Sequence, residues 1–225
     1  MVTIDIKDSI IESAIQGKLI DNKLNLPPVV ENNTYNGNPY EIPSNWRWCK
    51  VGDFLSIETG LSYKKTEQTV IKDGNLRILR GGNINNNFQY LLRDDDIYVN
   101  YTDKYKKLEI GDIITPSVTS MEQIGKTAYI DKELDNVTAG GFVYIIRSTN
   151  QEILDPKYVL YFISSNFHKE NCKPNIHRSG EAFYNLKKSG LVEQPIPIPP
   201  IAEQKAIVNK IENTFKICDT LEISI

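Results

Sequence analysis

The sequence predicts an α+β fold: one globular domain with a twisted, mixed and antiparallel sheet, flanked by coiled-coil-type helices at both ends. Three observations carry this. Short apolar, β-branched runs recur between glycine and asparagine clusters through residues 43–198, the texture of strands joined by irregular loops. Within that span only residues 155–164 show clear helical spacing, so the regular strand–helix alternation of a doubly wound sheet is excluded. Apolar residues at helical spacing mark both ends of the chain, at 4–20 and 201–225.

In residues 4–20, Ile4, Ile11 and Ile15, with Ile10 and Ala14 beside them, form an amphipathic stripe. Asp5 and Asp8 suit the positive end of the helix dipole, and Gly17 closes the pattern. Residues 21–42 are rich in asparagine and carry Pro27-Pro28, Gly37 and Pro39, the composition of an extended linker that detaches the first helix from the rest of the chain. From Pro43 the texture changes. Trp46 and Trp48 alternate with Arg47 and Cys49, the period-2 pattern of a half-buried strand. Further strands are expected at 77–79, 97–100, 112–114, 127–130 and 141–146. Asp155-Pro156 supply a cap and a first-turn proline for the helix at 155–164, where Val159, Leu160, Phe162 and Ile163 are apolar.

Pro195, Pro197, Pro199 and Pro200 hold an extended segment, because each proline restricts its predecessor to β or polyproline geometry. A helix then starts abruptly, with Pro200 near its first position and Glu203 in its first turn. Ile207, Ile211, Thr214, Cys218, Leu221 and Ile225 step by four and three residues, a heptad seam widened by Val208 and Phe215. Such a stripe packs either on its own domain or on a partner; its continuation to Ile225 favours a partner.

Composition narrows the function. The 225 residues, 40% of them hydrophobic, suit a soluble chain with one well-buried core. No stretch approaches the ~20 apolar residues that cross a bilayer, and Met1-Val2-Thr3-Ile4-Asp5 does not begin a secretory signal, so a cytoplasmic protein without a membrane partner is expected. Cys49, Cys172 and Cys218 are far apart and odd in number, which fits a reducing compartment. The net charge of −3 does not by itself advertise a nucleic-acid binder.

Catalytic signatures are missing. There is no glycine-rich cofactor loop paired with the Asn/Asp-Pro-Pro-aromatic motif of a base-flipping methyltransferase. No Walker-type glycine loop ends in Lys-Ser or Lys-Thr. Asp94-Asp95-Asp96 reads as a solvated turn, and His168, Cys172 and His177 lack a fourth metal ligand. With no assignable nucleophile–base pair, no catalytic residue and no metal site are expected. The sequence reads as a binding module.

Several polar stretches carry chemistry suited to DNA. Ser62-Tyr63-Lys64-Lys65 and Lys104-Tyr105-Lys106-Lys107 combine cations with aromatic rings, for phosphate contact and stacking. Arg80-Gly81-Gly82-Asn83 sets a guanidinium and an amide beside glycines that permit close backbone approach. Residues 175–180, with His177 and Arg178, and Lys187-Lys188 form the most basic region. Arginine pairs bidentately with guanine, and asparagine or glutamine with adenine, so Arg80, Asn83, Gln123 and Arg178 are candidate base readers. Gly82, Lys64, Lys65, Lys104, Lys106, Lys126, His177 and Lys187 complete the candidate DNA contacts. Each stretch taken singly also fits an ordinary solvated loop.

The stretch 194–221, QPIPIPPIAEQKAIVNKIENTFKICDTL, resembles the junction in Type I restriction–modification specificity subunits where a target-recognition domain runs into a long helix. The Pro-Pro-x-x-Glu-Gln core matches at Pro199, Pro200, Glu203 and Gln204. Residues 9–19 are similar to the far end of the same helical region, and Pro43-Ser44-Asn45-Trp46-Arg47-Trp48 resembles the entry into the next recognition domain. Arg80-Gly81-Gly82-Asn83-Ile84, Gly111-Asp112-Ile113-Ile114 and Gly180-Glu181-Ala182-Phe183 match weaker internal signatures. The resemblance implies a helix at 1–20, a linker at 21–42, a target-recognition domain at 43–198 and a coiled-coil helix at 199–225. It implies a non-catalytic subunit that reads one half of a bipartite double-stranded DNA target. That subunit docks modification (methyltransferase) subunits and restriction/translocase subunits, and S-adenosylmethionine, ATP and magnesium belong to those partners.

Specificity subunits of this kind carry two recognition domains and two helices that pair antiparallel. This chain has one domain and part of the helical region at each end, which leaves three arrangements open: it acts alone, as half of a dimer, or as a piece of a longer subunit. As half of a dimer, a homodimer through Ile11, Ile15, Ile207, Ile211, Cys218 and Leu221 is expected to read an interrupted palindrome. The alternative is a protein–protein adaptor or decoy of the same system that reads no DNA. The basic loops favour recognition, and the acidic net charge favours the adaptor.

Overall fold

A computed structural model describes residues 2–20, 26–69, 75–179 and 183–222. Ile225, the start of the linker at 21–25 and the Gly180-Glu181-Ala182 signature lie outside the described residues. The chain opens with α1 (Val2–Ile15), β1 (Arg47–Lys50), the single turn α2 (Val51–Phe54) and β2 (Leu55–Thr59). β3 (Gln68–Thr69), β4 (Leu76–Leu79), β5 (Ile97–Val99), β6 (Ile113–Pro116), β7 (Val118–Thr119), β8 (Ala128–Tyr129), β9 (Val137–Ala139) and β10 (Val143–Ser148) come next. Then come α3 (Pro156–Ser164), α4 (Asn166–Cys172), β11 (Ile176–Ser179), β12 (Phe183–Leu186), α5 (Lys188–Val192), β13 (Pro195–Ile198) and α6 (Ile201–Glu222).

The mixed and antiparallel pairing is spread over several small sheets. The antiparallel sheet β2-β10-β6-β8 is central, and β3-β5-β4-β9 lies beside it with β4 and β9 parallel. A ribbon, β11-β12-β7, and the pair β1-β13 complete the described strands. The central sheet buries both faces, and strand alternation explains how. Val143 and Ile145 of β10 join Leu79, Ile114 and Ala139 on one side. Tyr144 and Ile146 join the helical layer of α1, α3 and α6 on the other. Sandwiched there, α3 is buried almost all round; Asp155 caps it by accepting from the Lys157 and Tyr158 amides, and Pro156 occupies its first turn.

Residues 26–42 are not a detached linker. The Tyr40 ring meets Trp48 edge-on at 4.7 Å and Phe167 at 5.1 Å, and its hydroxyl donates to the Ile15 carbonyl at 3.0 Å. The Trp48 amide donates to Asn33 Oδ1, the Trp48 indole to Asn38 Oδ1, and the Lys50 amide to Thr34 Oγ1. Polar side chains that signalled irregular structure thus satisfy the open edge of β1. Covered by this segment and by α1, the strand departs from simple alternation, with Trp48 and Cys49 both buried.

The apolar seam at the chain ends is internal for most of its length. Ile11, Ile15, Ile207 and Ile211 lie in the chain's own core, all at most 1% exposed. The Lys7 ammonium binds Asp219 at 2.5 Å and lies over the Phe215 ring, closing α1 against α6. These four isoleucines are therefore not available to a second copy, because the packed segment 26–42 returns α1 to its own domain. Cys218 is half-buried, while Ile217 and Leu221 are exposed. Among the described residues no helix is long and apolar enough to cross a membrane.

Two adjacent side chains join this helical layer to the sheets. Gln204, fully buried, donates to the Ile153 carbonyl at 2.7 Å and the Pro199 carbonyl at 2.8 Å, and accepts from the Asp155 amide at 2.8 Å. The buried Glu203 carboxylate accepts from Asn45 Nδ2 at 2.8 Å and from the Trp46 indole at 2.6 Å. Further along, His168 is buried edge-on to Phe162, with Nε2 3.4 Å from Cys172 Sγ. His177 lies apart on β11, and among the described residues no three His, Cys, Asp or Glu side chains converge on a metal site. Burial lowers the His168 imidazole from 6.5 to about 4 and raises the Cys172 thiol to about 11.

Gln204→Leu leaves the Asp155 amide and two carbonyls without partners, and urea unfolding is expected to show a loss of about 3–5 kcal/mol; a loss under about 1 kcal/mol would contradict the joint. The His168 shift sets a pH dependence. Above pH 6.5 both folded and unfolded imidazoles are neutral, but below it only the unfolded chain takes the proton. Stability from this group therefore falls by up to about 3 kcal/mol as pH drops from about 6.5 to about 4. His168→Phe is expected to flatten that part of the stability–pH profile, and an unchanged slope would refute the assignment.

Candidate nucleic-acid interface

Antiparallel pairing brings alternate strand ends together. β2 and β6 finish where β8 and β10 begin, and β4 and β9, being parallel, finish side by side next to the start of β10. One end of the sheets therefore collects residues 60–62, 80–82, 117, 126–127 and 140–142. Backbone hydrogen bonds fasten them to one another. The Gly60 amide donates to the Val143 carbonyl at 3.0 Å, Leu61 to Ala139 at 2.8 Å, Gly140 to Leu79 at 2.9 Å and Ser117 to Phe142 at 2.9 Å. The approach is close enough to require glycine at two positions: a Cβ on Gly60 would stand 2.3 Å from the Ala139 carbonyl, and one on Gly141 2.6 Å from Ser62 Oγ.

The β11-β12-β7 ribbon joins this end through the Leu186 amide, which donates to the Ser117 carbonyl at 2.9 Å. Its register pairs Arg178 with Tyr184 and Tyr184 with Thr119, placing them on one face, while His177 and Asn185 share the other. His177, Arg178, Phe183 and Asn185 are exposed. On the opposite flank a groove of about 490 Å³ is lined by Asn85, Asn86, Asn87, Gln123, Lys126 and Lys169, among others. Phe88 anchors this asparagine loop. Its backbone is left-handed at φ 61°, its carbonyl accepts from the Tyr129 amide, and its ring packs on Tyr161 and Phe215. Asn85 closes the turn by accepting from the Asn87 and Gln89 amides, leaving Asn86 and Asn87 exposed.

The expected contact residues separate into three groups. Arg80, Gly82, Gln123, Lys126 and Arg178 reach the loop end, and exposed Lys64 and Lys65 begin the strap that leaves Ser62. Asn83 is a correction. It is 1% exposed, its Oδ1 accepts from the Arg80 amide, and its Nδ2 donates to the Leu91 carbonyl and to Asp96. Asp96 is itself buried, accepting from the Arg93 amide, so of the acidic run only Asp94 and Asp95 form the solvated turn. Asn83 therefore shapes the loop that presents Arg80 and is not available to a base.

The third group is tied into the domain by its own contacts. Lys106 pairs with Glu58, whose carboxyl it holds below the usual range, and its carbonyl accepts from Thr138. The neighbouring Lys107 carbonyl accepts from Arg147, which grips Asp112 bidentately at 2.6 and 2.8 Å. That network ties residues 104–109, including exposed Lys104, to the body of the domain. Lys187 sits at the base of the ribbon, its amide donating to the Asn175 carbonyl. Sequence reasoning missed Asn86, Asn87, Asn185 and the exposed Phe142 and Phe183. The asparagine run carried the amide signal but was legible only as a loop.

The family model for the Type I restriction modification DNA specificity domain matches residues 43–225. The chain is similar to the Type I restriction enzyme EcoEI specificity subunit of Escherichia coli, at 20% identity over 200 residues covering 88% of this chain and 33% of that protein. It is also similar to the Type I restriction enzyme StySPI specificity subunit of Salmonella potsdam, at 27% over 184 residues covering 80% and 38%. The crystal structure of the HsdS subunit from Thermoanaerobacter tengcongensis shares the fold, with a TM-score of 0.61 at 16% identity, covering 99% of this chain and 45% of that one. This chain thus spans less than half the length of these relatives.

Proposed function

The chain belongs to the Type I restriction modification DNA specificity family, and from that premise we propose that its loop end reads one half of a bipartite double-stranded DNA target for a Type I restriction–modification enzyme. The observation that carries this reading is the convergence of Arg80, Lys126, Arg178, Gln123 and the Asn86-Asn87 amides on one backbone-fastened end of the sheets. Lysines and arginines there neutralise phosphates and hold the register, while arginine and amide side chains read base edges. A net charge of −3 does not oppose this, because carboxylates that offset it are engaged away from the loop end, at Asp112 and Glu203.

In this reading the chain selects the site and leaves the chemistry to other subunits, where S-adenosylmethionine, ATP and magnesium act. Modification and restriction subunits dock on the helical layer. Pairing with a second recognition unit uses the outer end of α6, through Ile217, Cys218 and Leu221, since Ile11, Ile15, Ile207 and Ile211 are buried within the chain.

The test is selection from a randomised duplex library, followed by binding at several salt concentrations. The full chain is expected to enrich a defined half-site. Arg80→Ala and Arg178→Ala should each either reduce the salt slope by about one unit, as for a phosphate contact, or cost about 1–3 kcal/mol of discrimination at one base pair. Lys106→Ala should leave both unchanged. Absence of enrichment together with binding to a modification subunit would favour the adaptor, and parent-like behaviour of both arginine variants would remove the loop end from the interface.

A further inference from the structure

We propose that Phe142 is an apolar wedge that enters the base stack of the bound duplex at one base step, an inference that rests on the DNA-reading role of the loop end. Phe142 is 72% exposed, more than any other large hydrophobic side chain among the described residues. Single exposed apolar residues are ordinary on protein surfaces, and exposure alone would assign nothing. Its mounting and its surroundings set this one apart.

The ring stands on fixed backbone. The Phe142 carbonyl accepts from the Ser117 amide at 2.9 Å, and the next residue, Val143, is 1% exposed at the start of the central strand β10. Val143 also donates to the Gly140 carbonyl at 2.9 Å and accepts from the Gly60 amide at 3.0 Å, so the turn is held on both sides. A side chain that separates stacked bases must keep its position against their attraction, which a mobile loop tip does not do. Exposure on a backbone this constrained meets that requirement.

The surroundings are small. Gly60, Ser62, Ser117, Gly140 and Gly141 form the floor from which the ring rises, and such small residues let a duplex approach the backbone closely. Arg80 flanks that floor: its Cγ lies 3.9 Å from where a Cβ on Gly140 would stand. On the other side Ser117 links Phe142 to the ribbon that carries Arg178. An apolar ring between flanking cations is the arrangement that unstacks a base step while phosphate contacts hold the helix in place.

The experiment uses the selected duplex with 2-aminopurine placed in turn at each position of the half-site. Binding of the parent chain should raise fluorescence at one step, reporting local unstacking. Phe142→Ala should abolish that rise and weaken binding to the selected site roughly tenfold with an unchanged salt slope, while Phe142→Trp should preserve the rise. Arg80→Ala should keep the rise at saturating protein. Because Phe142 is exposed, both Phe142 variants should retain the parent's unfolding curve. A parent that binds its site without unstacking any step, or a Phe142→Ala variant that retains the rise, overturns the wedge alone. A parent that binds no duplex overturns the DNA-reading role as well.

Discussion

The Gln204 side chain uses its hydrogen-bonding groups inside the protein, and two separate pieces of chain depend on it. It holds the Ile153 carbonyl and the Asp155 amide at the exit of the central sheet, and the Pro199 carbonyl where β13 hands over to α6. Glu203 beside it fixes Asn45 and Trp46 at the entry to β1. The start of the domain, its central sheet and its last helix thus share one buried joint. An amide and a carboxylate in that position are stable only because every partner is present, and the same requirement fixes the angle at which α6 leaves the sheets.

From that joint the polarity of the molecule is set. β10 begins at Val143, just after Phe142, and ends six strand residues and roughly 20 Å later, toward Gln204. The helical layer, where other subunits are proposed to dock, covers one face of that strand, and Phe88 ties it to the loop end, proposed to meet DNA, by packing on Tyr161 and Phe215. The loop end is fastened mostly through backbone amides and carbonyls, and through small residues at close approaches. Side chains such as Arg80, Asn86 and Phe142 are consequently not what holds their loops in place. A surface built this way can change its exposed side chains while its scaffold keeps the same hydrogen bonds.

The sequence was legible where local chemistry decides structure. Prolines at 195–200 forced an extended segment and a sharp helix start, Asp155-Pro156 capped α3, and the β-branched runs near residues 77, 97, 113, 128 and 143 became strands. It was opaque where the deciding partner is distant. Periodicity marked Ile11, Ile15, Ile207 and Ile211 as a stripe but could not say that the stripe closes within one chain. Asparagine composition suggested a detached linker, yet Asn33 and Asn38 bind Trp48. Asn83 and Asn86 offer the same amide, and only the folded loop, with Asp96 buried beneath it, makes one structural and leaves the other open.

Hydrogen–deuterium exchange of the full chain, with and without its selected duplex, tests the placement of the proposed DNA face most directly. Protection on binding is expected at residues 80–87, 117–126, 140–143, 176–179 and 183–185, with the segment 101–110 and helix α6 unchanged. Protection centred on α6 or on residues 101–110, with the loop end exchanging as in the free chain, would contradict the assignment.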